Sequence, residues 1–117
     1  MQDAKALKFF EEVLSKTRAA KIRWEPTAIE SSYIAAVGGH FTLSVDEYER
    51  EIRLLGWPNM AHSLTLKDQE GRTLTRVTDM DDGIPLVDIQ ELYETARRQA
   101  LHVDEKIDSL LGELSKL

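Results

Sequence analysis

The chain contains no cysteine, and its apolar residues never form a long run. The absence of cysteine excludes disulfides, thiolate metal sites and cysteine nucleophiles. A membrane helix needs about 20 consecutive apolar residues, which no segment provides, and the first residues lack the apolar stretch of a secretory signal. We therefore expect a cytoplasmic protein that does not enter a membrane.

Basic residues are also fewer than acidic residues. The sequence has 15 lysines and arginines against 21 acidic residues, a formal net charge of −6. A net negative chain repels phosphate backbones and anionic lipid at long range, so we expect no nucleic-acid partner. The basic residues are concentrated near the start of the chain, where a local basic patch can still form.

What the sequence does contain is a balanced globular composition, with 42% hydrophobic and 31% charged residues in 117 positions. This length suits one domain, residues 1–117. Residues 1–20 place apolar side chains three and four positions apart, which predicts an N-terminal helix capped by Asp3. Residues 22–78 show alternating patterns separated by turn signals, which predicts an antiparallel meander of four to five strands. The fold class predicted is α+β, with the helices on one face of the sheet.

Two turns define the predicted meander. Gly38 and Gly39 suit a tight two-residue hairpin turn because glycine adopts positive φ without strain. A second hairpin is expected around residues 68–71. The excursion at residues 46–58 has two interpretations. One, which we favour, is a short helix with a capping box formed by Ser44 and Glu47; the other is a continuation of the strand through residues 51–54.

The last third of the chain predicts a long amphipathic helix over residues 85–116. Its apolar side chains step by three and four throughout, and such a helix would be about 45 Å long. It must bury its distal stripe against the N-terminal helix or against a second copy, and we favour the second copy. The alternative is a kink at residues 102–104, with Asp104 capping a separate last helix. The expected oligomer interface consists of Val103, Ile107, Leu110 and Leu114.

Both ends of the chain resemble short uncharacterised bacterial proteins of similar length. The resemblance lies in LSKT at 14–17 and KIRWE at 21–25, and in ELYETARRQA at 91–100 and VDEKI at 103–107. The resemblance implies a bacterial cytoplasmic origin, and it implies no particular activity. Residues 46–58 are longer than the corresponding loop of those proteins.

A few side chains stand out as candidate ligand contacts. Arg23, Arg97 and Arg98 could receive an anion such as a nucleotide, and Trp57 lies in an irregular segment where complete burial is difficult. Trp24 and Tyr93 are expected to pack in the core.

The sequence gives less support for metal-binding or catalytic residues. The acidic run at 78–83 resembles the start of a calcium loop, but Gln90 occupies the place of the closing glutamate, so we expect no metal site. His40, His62 and His102 lie on separate predicted elements, and no serine lies in a nucleophile elbow. The sequence therefore predicts no cofactor and no enzymatic activity.

The function that we expect is that of a binding or adaptor module that forms a homo-oligomer. Capture of a small anionic ligand is the second hypothesis, and an enzyme using His62 or the carboxylates at 79–82 is the third.

Overall fold

The computed structural model describes residues 4–117, so the expected cap at Asp3 lies outside the described residues. A helix comes first, five antiparallel strands follow in the order β1-β2-β3-β4-β5, and two helices end the described chain. The predicted α+β class with an antiparallel meander is confirmed. The elements are α1 (Ala4–Arg18), β1 (Glu25–Pro26), β2 (Ser32–Val37), β3 (Phe41–Glu49), β4 (Met60–Asp68), β5 (Thr73–Thr78), α2 (Leu86–Ala100) and α3 (Val103–Leu114).

Both predicted hairpins are present. Gly38 and Gly39 adopt φ values of 66° and 75°, but the first turn also includes His40, because Val37 pairs with Phe41. The two-residue turn is therefore lengthened by one residue. In the second turn the Asp68 carboxylate accepts hydrogen bonds from the backbone N–H groups of residues 70 and 72, at 3.0 and 2.9 Å. These bonds and the Arg72 side chain lower the pKa of Asp68.

The core lies between the sheet and the two helices α1 and α2. Leu43, Val45 and Leu64 supply its sheet side and Phe10 and Leu92 its helix side, all nearly inaccessible to solvent. Burial of this apolar face is the main force that holds α1 and α2 on the sheet.

Aromatic residues complete the core. Trp24 and Tyr93 are buried, as predicted; the Trp24 indole N–H donates to the Thr17 hydroxyl at 3.1 Å, and the Tyr93 ring lies 5.8 Å from that of Tyr33. Each aromatic group thus joins a helix or its adjoining segment to the rest of the core.

The excursion at residues 46–58 differs from the favoured prediction. No helix forms there, because β3 continues to Glu49 and its backbone pairs with β4 from Asp46↔Ser63 to Glu49↔Met60. Ser44, the expected helix cap, instead donates to the Asp46 carboxylate at 2.7 Å. The strand alternative holds only to Glu49, since residues 51–57 form bends, turns and irregular backbone.

The C-terminal segment is helical, but it is divided into α2 and α3. The break lies at Leu101 and His102, where His102 adopts a left-handed conformation with φ 52° and ψ 46°. The single helix expected over 85–116 is thus not formed, and the alternative kink is close to the observed break. Asp104 is not the cap of α3, because the cap position is His102 and Asp104 lies in the first turn of the helix. Its carboxylate accepts a hydrogen bond from Arg98. Among the helices of residues 4–117, none is long and apolar enough to cross a membrane.

Candidate binding surfaces

Helix α3 exposes a complete apolar face. No residue of Val103–Leu114 is buried, and Ile107, Leu110, Leu111 and Leu114 are between 44% and 57% exposed. We call Val103 and these four residues the exposed stripe, since their spacing places them on one side of the helix. A contiguous apolar face of this kind marks an interaction surface on most proteins.

Acidic side chains border one edge of the exposed stripe. At 100° per residue, Asp104 and Asp108 lie next to Leu111, whereas Lys106 and Glu113 flank the other edge. Asp104 pairs with Arg98 of α2. Asp108 has no ion pair within residues 4–117, so its negative charge remains available to a partner.

A second apolar surface lies at the turn end of the β2–β3 hairpin. Val37 and Phe41, which face each other across the hairpin, are 41% and 44% exposed. These two residues line a cavity between α1 and the hairpin, with a volume of about 580 Å³. We call it the apolar groove; its apolar lining is Phe9, Val13, Ile22, Ala36, Val37, Phe41, Leu43 and Leu66.

The rim of the apolar groove is basic, although the whole chain is acidic. Lys16, Lys21 and Arg23 line it, and Glu12 is the one acidic residue in the lining. Arg23 lies 3.6 Å from the Glu25 carboxylate with its side chain 91% exposed. Lys16 and Lys21 form no salt bridge with any described residue, so the rim beside the apolar lining has a net positive charge.

A more polar cavity adjoins this rim. It has a volume of about 620 Å³ and lies between residues 20–26 and the junction of α2 with α3. We call it the polar cleft. Lys21, Arg23 and His102 supply basic groups, and Glu25 and Glu105 supply acidic ones.

The predicted ligand contacts are not gathered in one place. Arg23 lines both the apolar groove and the polar cleft, whereas Trp57, Arg97 and Arg98 line neither cavity. Arg97 lies 3.8 Å from Glu94, and Arg98 donates to Asp104. Trp57 is 39% exposed, and its indole ring lies 5.1 Å from the guanidinium carbon of Arg50.

Arg50 forms a buried ion pair that sequence reasoning missed. Its guanidinium donates to both Asp79 carboxylate oxygens, at 3.1 and 2.8 Å, and to the Pro58 carbonyl at 3.1 Å. The two side chains are 7% and 0% exposed. Hydrogen bonding to Asp79 raises the pKa of Arg50. The pair anchors the loop between β3 and β4 to the segment after β5.

This pairing also accounts for the acidic run at 78–83. The Asp79 carboxylate is occupied by Arg50, and the Asp81 carboxylate accepts the backbone N–H of Thr78 at 2.7 Å. Within the described part of the chain, no group of three or more potential metal-ligating side chains is assembled.

The three histidines lie in different environments. His40 lies in the β2–β3 turn, His102 lies at the helix break, and His62 on β4 is buried beside Tyr93, with ring centroids 4.9 Å apart. His62 Nε2 lies 3.0 Å from the Glu47 carboxylate, whereas its buried Nδ1 has no hydrogen-bond partner among the described residues. Burial raises the pKa of Tyr93, so its phenol stays protonated.

Helices α1 and α2 are joined at the surface by a bidentate pair. Arg18 donates to both Glu91 carboxylate oxygens, at 2.7 and 2.6 Å, and these bonds lower the pKa of Glu91. The pair links α2 to α1, which forms one wall of the apolar groove.

Comparison with protein-family models, curated proteins and solved structures finds no match to this chain. Function is therefore inferred from α3, the apolar groove and the polar cleft.

Proposed function

We propose that this protein is a non-enzymatic binding or adaptor module that acts as a homo-oligomer through its C-terminal helix. The observation that supports this most strongly is that α3 has no buried residue and yet carries the exposed stripe. An isolated helix of 12 residues is marginal in water and gains stability mainly by packing an apolar face. A second copy supplies that packing, and the expected interface at Val103, Ile107, Leu110 and Leu114 lies within the stripe.

A substitution in α3 tests this proposal. Leu110 is 56% exposed, so Leu110→Glu leaves the core intact but places a charge within the interface. We expect the variant to be a folded monomer by light scattering, with an unchanged circular dichroism spectrum. The matched control is Ser109→Glu, which adds the same charge on the opposite face and should leave the oligomer intact. An oligomer that survives Leu110→Glu would reject the proposal.

The polar cleft supports a second candidate, capture of a small nucleotide-like anion. Lys21, Arg23 and His102 converge on a cavity whose volume falls within the usual range of small-molecule sites. In this alternative, pyrophosphate or ATP raises the melting temperature of the protein, and Arg23→Gln abolishes the rise. Arg97→Gln serves as the control, since Arg97 does not line the cleft. No shift of the unmodified protein with either anion would exclude this candidate.

A further inference from the structure

The exposed stripe and the apolar groove are complementary in chemistry. One is an apolar helix face with Asp108, which forms no ion pair with a described residue, at its edge. The other is an apolar depression whose rim carries Lys16, Lys21 and Arg23 against one acidic residue, Glu12. Complementary charge around apolar surfaces favours one docking orientation and speeds encounter.

Their dimensions also agree. Lining residues of the groove come from β2, β3 and β4, and a neighbouring depression shares Phe9 and Leu66 and extends it to Leu74 on β5. Strands lie about 4.8 Å apart, so four strands span roughly 14 Å. Residues 107–114 of α3 span about 10 Å at 1.5 Å per residue. The strands that contribute to the two depressions thus cover a span longer than the apolar part of the helix.

The start of α3 lies close to the groove. His102 and Glu105 line the polar cleft together with Lys21 and Arg23, and those two basic residues also line the groove. Two molecules related by a twofold axis at this end can therefore exchange helices, each α3 leaving its own molecule beside the groove that receives the partner's helix. Such an interface is closed and self-complementary.

We infer that α3 of one copy docks in the apolar groove of a second copy, with reciprocal exchange in a twofold dimer. This rests on the proposed self-association and names the surface that α3 contacts. Direct pairing of one α3 with another is the alternative geometry for the same function. The two geometries differ in whether the groove takes part.

Groove variants separate these geometries. Val37→Glu places a carboxylate in the groove at an already exposed position, and we expect it to raise the dimer dissociation constant at least about tenfold, as Leu110→Glu does. Val87→Glu is the matched control, because Val87 is 68% exposed on α2 and does not line the groove. Val87→Glu should leave the dimer unchanged. A dimer disrupted by Leu110→Glu but unaffected by Val37→Glu overturns the inference and leaves the proposed function standing.

Cross-linking tests the contact directly, because the chain has no cysteine of its own. Val37→Cys protein is mixed with Leu111→Cys protein, and the mixture is oxidised and separated without reductant. We expect a disulfide-linked heterodimer from the mixture and no covalent dimer from Val37→Cys alone. If Leu111→Cys protein links only to itself, and no disulfide joins Val37→Cys to Leu111→Cys in the mixture, the α3 helices pair directly and the inference is overturned. A monomeric unmodified protein would overturn both this inference and the proposed function.

Discussion

At the scale of single residues, removing one partner of the Arg50–Asp79 pair should lower stability more than removing one partner of any surface ion pair. Both side chains are almost completely buried, so removal of one leaves the other charged and unpaired in the interior. We expect Arg50→Leu to lower the free energy of unfolding by about 3–5 kcal/mol, measured by urea denaturation.

The matched control removes both charges. Arg50→Leu combined with Asp79→Leu should be more stable than Arg50→Leu alone, because no buried charge is left unpaired. If Arg50→Leu lowers the free energy of unfolding by less than about 1 kcal/mol, the pair is energetically similar to an exposed salt bridge, which would contradict its structural role.

Single residues were predictable from sequence where burial alone decides their place. Trp24 and Tyr93 fell in the core because large apolar rings gain most from burial. The Arg50–Asp79 pair was not predictable, since it joins positions 29 residues apart through a loop whose path depends on the β3–β4 register. The candidate arginines showed the same limit: the sequence did not reveal that Arg98 pairs with Asp104 across the helix break.

At the scale of elements, the end of α1 offers a stabilising substitution. Ala20 adopts φ 57° just after the helix, and its N–H donates to the Thr17 carbonyl while that of Lys21 donates to the Lys16 carbonyl. This is the Schellman arrangement, in which the left-handed residue is usually glycine. We expect Ala20→Gly to raise the free energy of unfolding by about 1 kcal/mol, as measured by thermal and urea denaturation.

Ala19 provides the comparison, because it precedes Ala20 and has no positive φ. Ala19→Gly should lower stability by roughly 0.5–1 kcal/mol, since glycine there only increases the entropy of the unfolded chain. Equal losses in the two variants would show that Ala20 is not strained.

The type of most elements followed from the sequence, but two boundaries did not. Apolar spacing continues at three and four across Leu101 and His102, so periodicity gave no sign of a break that a single left-handed residue produces. In β3, the capping signal at Ser44 and Glu47 was overridden by pairing with β4, whose partner residues lie beyond the loop. Tertiary contacts decided both outcomes.

At the scale of the whole molecule, α3 extends the structure beyond its core. The radius of gyration is 15.8 Å, whereas a compact chain of this length has roughly 13 Å, and the longest dimension is 56 Å against 25 Å for the shortest. In an isolated chain the exposed leucines of such a helix stay in contact with water, which is unfavourable, whereas in an assembly a partner would bury them.

The sequence predicted the exposed stripe as one face of an amphipathic helix, but it did not predict the apolar groove. The stripe is visible as local periodicity, because its residues are close neighbours in the chain. The groove combines Phe9, Ile22, Val37 and Leu66 from four segments, and it exists only because the fold brings these segments together. No local pattern carries that information.

The central claim, self-association through α3, is tested most directly by the mass of the unmodified protein in solution. Sedimentation equilibrium across a dilution series should give twice the 13.3 kDa chain mass at high concentration and a shift toward 13.3 kDa on dilution. A mass of 13.3 kDa at every concentration would contradict the claim, because the exposed stripe would then remain uncovered in the isolated protein.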